Sequence, residues 1–106
     1  MQALPNTFAA LGDPTRFAIV ERLLKEGELP AGTLHDVADL SAPAMSRHLK
    51  VLRTAGVVHQ RIDKQRRLYS IAPEAMEAIN DWAISYRQFW SSSFDRLDET
   101  LKKEAS

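Results

Sequence analysis

At Gly56 the spacing of apolar residues changes from three-and-four to two, and no other feature constrains the fold of this chain as much. Before it, Met45, Leu49 and Leu52 recur at helical spacing within SAPAMSRHLKVLRTAGVV (Ser41–Val58). After it, Val58, Gln60 and Ile62, then Leu68 and Ser70 beside Tyr69 and Ile71, alternate as strand residues do. The two short strands join around Asp63-Lys64-Gln65, so a helix runs directly into a β-hairpin. Local chemistry agrees. Ser41 is a good N-cap, Pro43 is tolerated in the first turn because its missing N–H has no helical partner, and Gly56 stops the helix.

The face of this helix opposite Met45 carries Ser46, Arg47, Lys50 and Arg53 with no acid among them. The formal charge of the whole chain is zero, with 14 basic and 14 acidic side chains, yet the charges are segregated. Between Ser41 and Ile71 there are seven basic residues and one acid, Asp63, a net of +6 that the remainder balances with −6. A face that is merely solvated usually mixes its signs. Basic clusters on two adjacent elements predict a polyanionic partner.

Elsewhere the chain reads as helices. Asn6 is placed to cap a short first helix through Leu11, with Leu4, Phe8 and Leu11 on one side. Asp13-Pro14 starts a second, in which Phe17, Val20, Leu23 and Leu24 repeat until Gly27. Leu34, Val37 and Ala38 suggest a short third helix within Leu29–Leu40. Pro73 opens a final helix predicted to run nearly to the end, about residues 74–104. Its apolar stripe comprises Met76, Ile79, Ala83, Tyr86, Trp90, Phe94, Leu97 and Leu101, and Trp82 and Phe89 widen it. Packing inside one molecule is one use for such a stripe. Its length favours a two-fold seam between copies, with Leu4, Phe8 and Leu11 beside it.

The 106 residues, 44% hydrophobic and 26% charged, suit one domain with no linker or repeat. The absence of cysteine excludes disulfides, thiolate ligands and a cysteine nucleophile, and is compatible with the cytoplasm. No signal peptide or membrane span is read. Neither Ser46 with His48 nor Ser41 with His35 forms part of a triad, and no glycine loop cradles a phosphate, so no enzyme is expected.

Helix, short helix, helix and basic hairpin make a winged helix-turn-helix: mainly α with a small β-hairpin, in the order ααααββα, as one domain over residues 1–106. In that geometry the second helix of the motif enters the major groove of double-stranded DNA and the hairpin reaches a phosphate ridge or the minor groove. The expected contacts are Ser41, Ala42, Pro43, Ser46, Arg47, Lys50 and Arg53 on the helix, and Arg61, Lys64, Gln65, Arg66 and Arg67 on the wing. Arginine suits bidentate contact with guanine, lysine a less directional one with phosphate. His48 either touches phosphate or packs as a hydrogen-bonded helix residue. A winged helix can also serve as a protein-interaction module, though such a module has no reason to segregate charge.

The segments ALGDPTRFAIVERLL, SAPAMSRHLKVLRTAGVV and RRLYSI together resemble the ArsR/SmtB repressors over roughly Phe8 to Leu101. The resemblance implies a homodimer that represses transcription and releases DNA on binding an effector. Two departures bear on the effector. Where metal-sensing members carry Glu-Leu-Cys-x-Cys, this chain has Glu28-Leu29-Pro30-Ala31-Gly32, and no histidine follows His59 for the second site type. The tail YRQFWSSSFDRLDETL resembles a branch without metal motifs. His35 with Asp36 and Asp39 reads as solvated polarity, so no metal and no cofactor is expected. The aromatics Trp82, Tyr86, Phe89, Trp90 and Phe94 fit core or seam better than a ligand box. An organic ligand near that seam, a protein partner, or concentration alone remain as routes of control.

Overall fold

The computed structural model describes residues 3–105. Helix α1 spans Ala3–Leu11, and Asn6 lies inside it rather than at its cap. Its buried residues are Thr7 and Ala10, while Phe8 is 41% exposed. Helix α2 (Pro14–Glu26) starts as its sequence dictates: the Asp13 carboxylate accepts the Arg16 N–H at 3.0 Å and Pro14 opens the first turn. It buries Ile19, Val20 and Leu23. Phe17 and Leu24, expected on that face, point outward, because α1, α3, β3 and the 3-10 helix all gather on the Ile19–Leu23 side.

The weak third segment is a two-residue strand β1 (Leu29–Pro30) followed by a 3-10 helix (Ala31–Val37) rather than an α-helix. Pro30 donates no N–H and Gly32 has poor helical propensity, so a regular helix gains little here. Leu34 nevertheless reaches the core with no exposed surface.

Helix α3 (Ala42–Thr54) is capped by Ser41, whose Oγ accepts the Ala44 N–H at 3.2 Å. At the far end Gly56 adopts φ 78, the Gly56 N–H bonds to the Arg53 carbonyl, and the Val57 N–H bonds to that of Leu52. These two bonds satisfy carbonyls that a helix end otherwise leaves orphaned. They also set Val57 against Leu52, both fully buried, so the turn is locked to the core.

Strands β2 (Val58–Asp63) and β3 (Arg66–Ile71) pair antiparallel with Asp63 opposite Arg66, leaving Lys64-Gln65 as the loop. β1 joins the other edge of β3, with Leu29 opposite Tyr69 and Pro30 opposite Leu68, so the hairpin is part of a three-stranded sheet. Burial does not simply alternate along it. Leu68 and Tyr69 are both buried although successive side chains point to opposite faces. The base of the sheet is therefore covered on both sides, whereas Ile62 near the tip is 67% exposed.

The expected last helix is two helices, α4 (Pro73–Ser85) and α5 (Arg87–Ala105), interrupted at Tyr86. The Ser85 hydroxyl donates to the Trp82 carbonyl at 2.7 Å and the Trp90 indole N–H to that of Ala83 at 3.1 Å. Side-chain donors thus occupy carbonyls around the break, a recognised cause of helix interruption. By contacts the chain divides into two compact units, one ending at Met76 and one beginning at Glu77. The first contains the core, in which Ile19, Leu23, Leu34, Met45, Leu49, Leu52, Val57 and Val58 are almost wholly buried.

Candidate nucleic-acid interface

Two kinds of contact fix the angle of α3. Met45, Leu49 and Leu52 bury its inner side. At its middle, His48 meets a polar joint built from the residues that start α2. Arg16 donates from Nε to the Ala10 carbonyl at 2.7 Å, at the end of α1, and its Nη1 lies 3.3 Å from His48 Nδ1. A guanidinium only donates, so Nδ1 is the acceptor in this contact. Asp13 Oδ2 lies 3.9 Å from the same ring nitrogen. The Asp13 carboxyl is held below its ordinary range, first by the Arg16 backbone N–H and then by the charge of the Arg16 guanidinium. His48 thus hydrogen-bonds within the chain while its side chain stays 23% exposed. Asp13-Pro14-Thr15-Arg16 looks like a helix start in sequence, and in the structure it also ties α1, α2 and α3 together.

The outer side of α3 presents Ser46, Arg47, Lys50 and Arg53, all exposed. Among the described residues neither Arg47 nor Lys50 has an ion pair or a hydrogen-bonded partner. Ser41, Ala42 and Pro43 are exposed at the helix start, where the macrodipole and free N–H groups favour an anion. An open hollow of about 720 Å3 is lined by residues of α1 and α3, Ala9, Ala10 and Ala55 among them, and Val51 in its wall is 41% exposed.

The wing divides its charges. Lys64 occupies the first loop position with φ 60, Gln65 follows it, and Arg67 is exposed. Arg66 lies 3.7 Å from Asp63. Arg61 behaves differently: its guanidinium makes two hydrogen bonds, of 2.8 and 2.7 Å, to the Glu28 carboxylate. That pairing holds the Glu28 carboxyl below its ordinary range of titration and the Arg61 guanidinium above its own. Arg61 therefore has an anion within the protein and fastens β2 to the segment before β1.

Arg53 also has an internal partner, though not an anion. Its Nη1 donates to Gln60 Oε1, and Gln60 Nε2 donates to the Tyr69 hydroxyl at 2.7 Å. Gln60 and Tyr69 were not expected at the site. The one signal for them is that they fall opposite each other if the hairpin closes at Lys64-Gln65.

In the second unit the apolar face is open. Trp82, Ile84, Tyr86, Phe89, Trp90, Phe94, Leu97 and Leu101 are each between 41% and 64% exposed, and Ile79 and Ala83, on the same stripe, are half-buried. Trp82 meets Tyr86, and Phe89 meets Trp90, edge to face at 5.8 and 5.0 Å. Among the described residues no three His, Asp or Glu side chains converge as metal ligands, and no helix is long and apolar enough to cross a membrane.

A capped helix with a cationic outer face, set beside a basic hairpin, defines a winged helix-turn-helix protein of the DNA-binding class. Comparison agrees. Residues 11–61 match a helix-turn-helix domain family. The chain is 38% identical over 99 residues to the HTH-type transcriptional regulator Rv2034 of Mycobacterium tuberculosis, covering 93% of this chain and 89% of that protein. It is 32% identical over 81 residues to the transcriptional repressor SdpR of Bacillus subtilis, covering 76% and 89%. The crystal structure of an ArsR family transcriptional regulator, RHA00566, superposes with a TM-score of 0.75 at 27% identity over 86% of this chain and 93% of its own. This protein belongs to the ArsR family of winged helix-turn-helix transcriptional regulators.

Proposed function

We propose that the protein is a homodimeric repressor that binds an inverted-repeat operator and is not released by metal or thiol chemistry. The observation that carries the DNA assignment is the unneutralised charge: Arg47, Lys50, Lys64 and Arg67 are exposed with no anionic partner among the described residues. In this reading Ser46 and Arg47 meet base edges. Lys50 and Arg53 meet phosphates, as does the start of α3 at Ser41, Ala42 and Pro43. Lys64, Gln65, Arg66 and Arg67 carry the wing onto the backbone. Arg61 acts as the wing's fastener to Glu28.

The exposed aromatic face of α4 and α5 supports the dimer, since an apolar stripe of this length is seldom left in water. The chain is then one DNA-binding domain whose C-terminal helices join two copies. Two reading helices related by a two-fold axis would meet half-sites about 34–36 Å apart, or a multiple of that. A chain without cysteine, with Pro30 and Gly32 where soft ligands would sit, supports control by an organic ligand at the aromatic face, by a protein partner or by concentration. Any effector must bind the free and DNA-bound states unequally to shift them.

The test compares an operator fragment, selected from the DNA upstream of the protein's own gene, with a random duplex. Arg47→Ala should lose about 1–3 kcal/mol on the operator and far less on random DNA. Arg67→Ala should weaken both alike and flatten the salt dependence. Equal losses on the two duplexes for both variants would refute this division of roles. A wild type that binds neither duplex would favour a protein-interaction module.

A further inference from the structure

We propose that the cleft between α3 and the wing is a seat for one phosphate of the DNA backbone, in which Gln60 and Tyr69 are positioning residues that aim Arg53. The proposal rests on the DNA-binding reading above and adds to it a defined subsite with two further residues.

The cleft is lined by Ser46, Lys50, Arg53, Gln60, Arg67 and Tyr69 and has a volume of about 150 Å3. Pockets for drug-sized molecules are larger, about 300–1,000 Å3, so this one suits a compact group. Its lining holds three cations, drawn from α3 and β3, and no carboxylate. The orientation of its hydrogen bonds is set by elementary rules. Arg53 can only donate, so the Gln60 atom facing it must be the carbonyl oxygen. The amide nitrogen is thereby turned to Tyr69, where it donates to the hydroxyl oxygen. The Tyr69 O–H proton is left over, with no described acceptor, at the wall of the cleft. The cations there can only donate, and the Ser46 and Tyr69 hydroxyls can each donate as well. Such a site fits an anion with several acceptor oxygens, and a phosphodiester is the one that DNA supplies.

Positioning follows from the difference in mobility along this chain of bonds. Arg53 is exposed on a long, flexible stem, whereas Tyr69 is only 6% exposed and fixed in the core. Gln60 is the cross-strand neighbour of Tyr69, so the sheet register delivers its amide to the hydroxyl. The core thus holds the guanidinium in place before DNA arrives, which reduces the ordering lost on binding.

The experiment measures affinity for a random duplex from low to moderate potassium chloride for wild type, Arg53→Ala, Gln60→Leu, Tyr69→Phe and Gln60→Leu/Arg53→Ala. Arg53→Ala should weaken binding and reduce the salt slope by about 0.9. Gln60→Leu should weaken it roughly threefold to tenfold, the worth of about one hydrogen bond, and add nothing when Arg53 is already alanine. Tyr69→Phe keeps the ring and packing, so it tests the same chain of bonds should Gln60→Leu fold poorly; a smaller loss in the same direction is expected. Far-ultraviolet circular dichroism checks folding, because a purely structural role would lower stability and leave the salt slope unchanged. Wild-type slope and affinity in Gln60→Leu and Tyr69→Phe, with Arg53→Ala impaired, would overturn the positioning role. Losses that simply add in the double variant would do the same. Release of DNA by low-millimolar inorganic phosphate, against chloride at matched ionic strength, would assign the seat to free phosphate instead. If the wild type binds no duplex at all, the DNA reading itself fails, an outcome distinct from all of these.

Discussion

Lys64 offers a perturbation in which stability and binding should move in opposite directions. It is the one non-glycine residue with positive φ among the described residues, at φ 60 in the first position of a two-residue hairpin loop where glycine is the usual occupant. Holding an L-residue in that region costs about 1–2 kcal/mol. Glycine removes this strain but loses about 0.5–1 kcal/mol through the freedom of its unfolded chain. The net expectation for Lys64→Gly is a gain of roughly 0.5–1 kcal/mol. At about 4–8 °C per kcal/mol for a domain of this size, the melting temperature should rise by roughly 2–8 °C. The same change removes a cation from the wing tip, so the salt slope on a random duplex should fall by about 0.9. Lys64→Asn is the control, because asparagine tolerates the left-handed region without carrying charge. Thermal melts by circular dichroism and fluorescence anisotropy on labelled DNA read the two effects separately. If Lys64→Gly melts below wild type, the loop does not hold residue 64 at positive φ in solution. If its slope matches wild type, Lys64 touches no phosphate.

Three further outcomes are expected. The depressed carboxyls of Asp13 and Glu28 contribute stability that is complete above their ordinary range and lost as pH falls through their lowered values. The melting temperature should therefore decline below about pH 4, and Asp13→Asn, which can still cap, should show a shallower decline. Trp90→Asp places a charge on the exposed aromatic face and should shift the protein from dimer to monomer in light scattering; a wild type that is monomeric at micromolar concentration would remove the basis for the seam. Zinc titrated into metal-free protein should leave operator affinity unchanged, whereas a stoichiometric submicromolar release would reveal a metal site and refute metal-independent control.

What could be read from sequence tracks how local its cause is. The ends of α2 and α3 were legible because Asp13, Pro14, Ser41 and Gly56 act within four residues of themselves. Strand β1 was not, since two residues containing a proline become a strand only by pairing with β3 almost forty positions later. The break at Tyr86 depends on where the Ser85 and Trp90 side chains send their protons, which periodicity does not encode. At the site the same rule held. Arg47 and Lys50 were legible as one face of a helix, but the Glu28 partner of Arg61 and the Arg16 partner of His48 lie 33 and 32 residues away. Charge patterning identifies the cations. It does not say which of them an internal partner has already taken.

The joint between Arg16, Asp13 and His48 bears on how this scaffold could be re-targeted. A library meant to change the preferred operator would naturally randomise the whole of Ala42–Thr54. Met45, Leu49 and Leu52 must stay apolar to seat the helix, and His48 belongs with them despite its polar side chain, because it docks onto the start of α2. Randomising position 48 would tilt the helix and confound every selection at its neighbours. Ser46, Arg47, Lys50 and Arg53 can be rewritten, and Arg53 only together with Gln60, its partner on the next strand. The alphabet open to an engineer is thus four letters of the helix and one of the wing, and a swap of the helix alone would carry over an arginine without the glutamine that holds it.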